Sequence, residues 1–94
     1  MTLQKLFSDK SKWTKEGSAR NLDGYIVSPL SPKAVCWCLI GGIYKCYNHL
    51  HSNEFNEVKH RLQRVINNQR LAEWNDDPER SFEDVQKVVK QANV

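Results

Sequence analysis

No apolar run in the 94-residue chain approaches the roughly 20 residues that a membrane-crossing helix needs. The opening residues, MTLQKLFSDKSKW, hold no unbroken apolar stretch, so a secretory leader is not expected. Gly-rich phosphate loops, serine elbows and HExxH helices are missing, and with them the commonest local signatures of nucleotide, ester and zinc-protease chemistry. The carboxylate-rich stretch 73–84 lacks the spacing and the glycine of an EF-hand loop. Repeats, linkers and low-complexity tracts are lacking too, and the length suits one domain over residues 1–94. Three cysteines are an odd count in a chain without an export signal. They imply free thiols in a reducing, cytoplasmic setting rather than a disulfide framework.

What is present is concentrated in SPKAVCWCLIGGIYKCYNHLH, Ser31 to His51, which holds every cysteine and two of the three histidines. Ser31 followed by Pro32 is a strong helix start, serine as cap and proline at the first turn. The spacing predicts a helix from about Pro32 to His49, with Val35, Leu39, Gly42, Ile43, Cys46 and Leu50 on one stripe. So wide an apolar face predicts a central, buried helix. On such a helix Cys36 and Cys38 point about 160° apart and cannot share an ion. Cys38 and Cys46 lie roughly 12 Å apart along the axis. Only Cys46 and His49 share a face, and two ligands do not make a zinc centre. Neither a metal nor a cofactor is expected, and Cys46 on the core stripe is a poor nucleophile. Gly41-Gly42 costs a helix roughly 2 kcal/mol relative to alanine, so a close neighbour is expected at Gly42.

Elsewhere the periodicity predicts three more helices. Thr2–Lys12 carries Leu3, Leu6 and Phe7 on one face, with Thr2 as cap. Asn53–Gln69 carries Phe55, Val58, Leu62, Val65 and Ile66. A final helix starts after Ser81, with Asp84 at the capping-box position and Phe82, Val85, Val88, Val89 and Ala92 inward. Leu71 to Trp74 reads as a short helical turn stopped before Pro78. Asp23-Gly24 before Tyr25-Ile26-Val27 is a hairpin signal, with strands at about 18–21 and 25–27, or else an ordered loop. The expected fold is mostly α: a compact four-helix single domain with a central buried helix and a loop or small β-hairpin between helices 1 and 2.

The net charge of +3 is unevenly spread. Residues 59–70 carry Lys59, Arg61, Arg64 and Arg70 without an acid, whereas 71–84 carry six acids against Arg80. Such asymmetry steers association with charged partners. Lys59, Arg61, Arg64 and Arg70 are the candidate face for an acidic protein partner. Phosphates of nucleic acid are the alternative, opposed by the acidic stretch that follows. No catalytic residue is assigned.

Trp13-Thr14, Gly17, Ala19-Arg20 and Asp23-Gly24, then AVCWCLIGGI, then AEWNDDPERSFEDV make a sequence of motifs over nearly the whole chain. It resembles a family of small uncharacterised bacterial and bacteriophage proteins, a domain of unknown function. Its pattern runs W-T-x-G…A-R-D-x-G, A-x-x-W-C-x-x-G-A-I and W-N-D-x-x-x-R-T-x-x-x-V. Glu16 inserted before Gly17, Leu22 in the loop and Gly42 in place of the usual alanine depart from it. The most specific part is carried by Trp74, Asn75, Asp76 and Arg80. Read physically, Trp74 anchors the core, Asn75 and Asp76 bond turn backbone, and Arg80 pairs with Asp76. A recognition patch made of the same residues is the other reading. The resemblance brings no reaction. It implies a phage- or mobile-element-derived role in host defence, anti-CRISPR-like, or in regulation. The expected function is a non-catalytic protein-binding module, the alternative a nucleic-acid-associated regulator.

Overall fold

Thr2 accepts the Lys5 N–H on its hydroxyl at 3.1 Å and caps α1, Leu3–Leu6. The computed structural model describes residues 1–47 and 52–94. α1 is a single turn and does not run to Lys12 as expected. Asp9 accepts the Ser11 N–H at 2.9 Å and opens a separate 3-10 turn, Lys10–Lys12. A short acidic side chain bonding backbone two residues on competes with helix continuation. Leu3, Leu6 and Phe7 are nevertheless all buried, as their spacing predicts.

β1 (Ala19–Arg20) pairs antiparallel with β2 (Cys36–Trp37), Ala19 opposite Trp37 and Arg20 opposite Cys36. The expected partner at 25–27 makes only an isolated bridge, Arg20 to Ile26. Asn21 N–H donates to the Tyr25 carbonyl and Val27 N–H to the Ala19 carbonyl, each at 3.0 Å. On the far side of β2, Thr14 N–H donates to the Trp37 carbonyl at 3.0 Å. The hairpin signal was therefore sound, but β1 finds its longer partner across an intervening loop.

α2 spans Leu39–Cys46, seven residues short of the expected start at Pro32. Ser31 does accept a backbone N–H, from Lys33 at 3.1 Å, but it closes one turn and no helix follows. Val35, Cys36 and Trp37 are β-branched, small and aromatic residues that suit a strand. β1 supplies the pairing, and the Trp37 indole N–H reaches the Pro29 carbonyl at 2.9 Å. The reading of one helical rod through Cys36 and Cys38 is thus corrected. The expected end at His49 and the place of Leu50 lie outside the described residues.

α3 (Ser52–Ile66), α4 (Leu71–Asp76) and α5 (Phe82–Ala92) complete the chain. Five helices stand among the described residues where four were expected, the short turn at Leu71 being α4. The capping box of α5 is present: Ser81 hydroxyl accepts the Asp84 N–H, and Asp84 accepts the Ser81 N–H at 3.0 Å. α3 packs along α5, while α2 touches α1, α3 and α4. Leu3, Phe7, Leu39, Ile43, Leu62, Val85 and Val89 are fully buried between them.

The glycine pair sits at two close approaches. A β-carbon on Gly42 would stand 2.8 Å from the Phe7 ring and 3.1 Å from Leu3, the neighbour expected there. At Gly41 the obstacle is main chain: a β-carbon would collide with the Ser18 carbonyl beside β1. Gly41 is thus the tighter position, although it falls off the apolar stripe.

Candidate functional site

Asn75 is the one polar residue buried outright among the described residues, at 0% exposure. Its Oδ1 accepts the Trp13 indole N–H at 2.7 Å and the Leu39 backbone N–H at 3.0 Å. Its Nδ2 donates to the Thr14 carbonyl at 3.1 Å and to Asp76 Oδ1 at 3.0 Å. One amide therefore joins the 13–14 segment, the first turn of α2 and α4. Leu39 N–H is one of the unpaired donors at a helix start, so Asn75 caps α2 from 36 residues away. The local cap, Cys38, contributes only a weak sulfur acceptor to the Gly41 N–H at 3.3 Å.

Asp76 does not pair with Arg80. Its Oδ1 takes the Glu16 backbone N–H at 2.9 Å and so holds the loop before β1. Arg80 lies over the Trp74 ring, 3.9 Å from its centroid, and its Nε donates to the Trp74 carbonyl at 2.9 Å. Asp77 and Asp84 each stand 3.9 Å from the guanidinium. Trp74 is half-buried against the core. Lys15 closes the clasp by donating Nζ to the Asp77 carbonyl at 2.7 Å. Asn75, Asp76 and Arg80 each bond backbone of other segments or turns, and the Arg80 guanidinium lies over the Trp74 ring.

The basic residues are less unified. Lys59 and Arg61, two apart on α3, project about 160° from each other. Arg61 pairs with Glu57 at 3.1 Å, and Arg70 with Glu73 at 3.3 Å. Arg64 has no acid within salt-bridge distance among the described residues. It lines an open groove of about 730 Å³ with Asn53, Asn56, His60, Asn67 and Gln69. The structure brings Arg64 to a polar shelf and spends two of the other three on local pairs.

The thiols are free and lie in different settings. Burial pushes the Cys46 thiol up to about 11 and raises that of Cys38. Both shifts favour the protonated, unreactive form. His49, the expected neighbour of Cys46, lies outside the described residues. No three His, Cys, Asp or Glu side chains gather as a metal-binding group among the described residues. None of the described helices is long and apolar enough to cross a membrane.

The surface that sequence reasoning missed is the loop from β1 to β2. Leu22 is 88% exposed, Tyr25 71%, Ile26 60% and Leu30 43%. The loop is nonetheless pinned. Arg20 donates to the Gly24 carbonyl at 2.8 Å and to the Lys15 and Glu16 carbonyls at 3.3 Å. Asn21 Oδ1 accepts the Asp23 and Tyr25 N–H groups at 3.0 Å. The available signal was Tyr25-Ile26-Val27 flanked by turn residues, read as a strand or an ordered loop with no outer side assigned.

Comparison with curated proteins and with solved structures gave no match. Residues 4–93 match the family of unknown function DUF6197, and the chain belongs to that family.

Proposed function

We propose that the chain is a non-catalytic protein-binding module that recognises its partner through the loop between β1 and β2. The observation that carries this reading is the set Leu22, Tyr25, Ile26 and Leu30, each exposed on one loop that Arg20 and Asn21 hold by hydrogen bonds. Exposed apolar side chains on pinned backbone offer contact area at little ordering cost. The raised Cys38 and Cys46 thiols, and a clasp in which Asn75 and Asp76 are engaged inside the fold, support a binding role over a reactive one.

Capture from a host lysate by the immobilised chain tests the reading, run with and without nuclease beside a Leu22→Ser/Tyr25→Ser variant. The expected result is a protein retained after nuclease and lost with the variant. Retention by both chains alike sinks the loop as the site. The second reading, a nucleic-acid-associated regulator, rests on Arg64 and His60 at the open polar shelf of α3. It predicts capture that vanishes with nuclease and weakens when Arg61 and Arg64 are changed to glutamate.

A further inference from the structure

We infer that Tyr25–Val27 is an open strand edge that takes up an extended segment of the partner protein, main chain to main chain at Ile26. The inference rests on the binding-module reading and specifies how the partner is held.

The register decides which backbone groups are spare. Arg20 and Ile26 face each other, but the bonds run around them, from Asn21 N–H to the Tyr25 carbonyl and from Val27 N–H to the Ala19 carbonyl. In an antiparallel pair, residues framed in this way turn their own N–H and C=O groups away from each other. Arg20 uses its outward carbonyl, which accepts the Val35 N–H at 2.9 Å on the β2 side. The matching groups of Ile26 point the opposite way, where no described strand follows. Neighbouring backbone groups are already taken: Tyr25 N–H by Asn21 Oδ1 and the Gly24 carbonyl by Arg20. One donor and one acceptor therefore stand out on a 60% exposed residue, flanked by Tyr25 and Leu22.

An unpaired edge is a template for a further strand, and main-chain pairing with side chains to either face is how extended peptides are recognised. Lysine or proline on the edge would be the usual protection, and neither occurs in residues 21–28. The occupant is set by size and charge. The four exposed apolar side chains offer on the order of 500 Å², short of the ~800 Å² per side of a stable pair of folded chains. That suits a peptide segment better than a second copy. The charges of residues 20–32 are Arg20, opposite Ile26, and Asp23, of opposite sign, so selection falls on backbone and apolar side chains.

The probe is a displayed library of random peptides, with selected binders measured against the wild type and Ile26→Pro. Proline deletes the outward N–H and breaks no bond inside the domain. The expected result is at least tenfold weaker binding by Ile26→Pro at an unchanged fold, judged by thermal melting. Slowed exchange of the Ile26 amide in the wild-type complex is expected too, and remains decisive if the proline variant fails to fold. Equal affinity of the folded variant, or an Ile26 amide that stays unprotected, overturns the inference. So does a dimer that sediments as such and dissociates on Ile26→Pro, which would make a second copy the occupant. If the lysate partner survives Ile26→Pro but is lost with Leu22→Ser/Tyr25→Ser, the edge fails while the module reading stands.

Discussion

At the scale of single residues, Asn75 does more than any other side chain whose role the sequence left open. Replacing it by alanine leaves the Trp13 indole N–H and the Leu39 N–H without acceptors in a buried place. Each such orphan costs about 1–3 kcal/mol, so Asn75→Ala is expected to lose roughly 2–6 kcal/mol. For a domain of this size that lowers the melting temperature by about 10 °C or more. Asn75→Asp keeps the acceptor but deletes the Nδ2 donor and places a second charge beside Asp76. It is expected to be at least as damaging, and a melt as stable as wild type would refute the clasp. The glycine pair gives a graded comparison. At Gly41 an added methyl meets main chain, which cannot step aside, so Gly41→Ala is expected to cost several kcal/mol by overpacking, about 3 or more. At Gly42 it meets the tip of the Phe7 ring, and roughly 1 kcal/mol of helix propensity offsets the strain. Chemical denaturation should therefore separate the two variants clearly.

At the scale of elements, what was legible in the sequence was local. Thr2 at α1 and the Ser81/Asp84 box at α5 are side chains bonding their own first turn, so spacing alone reveals them. Ser81→Ala is expected to cost about 1 kcal/mol, read as a lower denaturation midpoint at unchanged slope. The Ser81 N–H also holds the Asp84 carboxyl below its ordinary value. Its folded value is the lower one, so this contribution is complete above the ordinary carboxylate range and is lost as pH falls through it. Asp84→Asn, which removes the titrating carboxyl, should therefore flatten part of the acid limb, whereas Ser81→Ala keeps the backbone N–H and most of the effect. The start of α2 was not legible, because its real cap is Asn75 and its competitor is β1, both distant in sequence. Ser31-Pro32 is an honest start signal that a single turn also satisfies. The same distance hid the partner of Asp76, the Glu16 N–H, whereas Arg80 has local partners, the Trp74 carbonyl, Asp77 and Asp84, in place of the expected Asp76. The loop edge was hidden for another reason: alternation shows that a strand forms, but not which side of it remains unpaired.

At the scale of the whole molecule, the thiols tie stability to pH in a direction that can be worked out. Burial dominates at Cys46 and outweighs the N-terminal ammonium and Lys45, raising the thiol from 9.0 to about 11. Cys38 and the Tyr47 phenol are raised too, burial again the main cause. For each, the folded value is the higher one, so the unfolded chain releases its proton first as pH climbs. The unfolded state then binds fewer protons than the folded state, and unfolding free energy falls with rising pH. The stability tied to Cys46 is complete below about pH 9 and drains away between there and about 11. Melting temperature is therefore expected to fall across that window. Cys46→Ala is the control that isolates the share of this thiol. Removing the thiol should make the alkaline limb shallower, even if the variant is less stable at neutral pH because a small core contact is lost. A limb of unchanged steepness would mean that the thiol reaches water in the folded state. Labelling by a thiol reagent at neutral pH offers an independent view. Cys38, buried and bonded to Gly41, should react far more slowly than in denaturant, at a rate set by opening of the fold, and more slowly than the partly exposed Cys46. Because Cys38 sits at the α2 start beside Asn75 and Gly41, Asn75→Ala should speed its labelling more than that of Cys46, which would connect the clasp to the stability of α2 in one measurement.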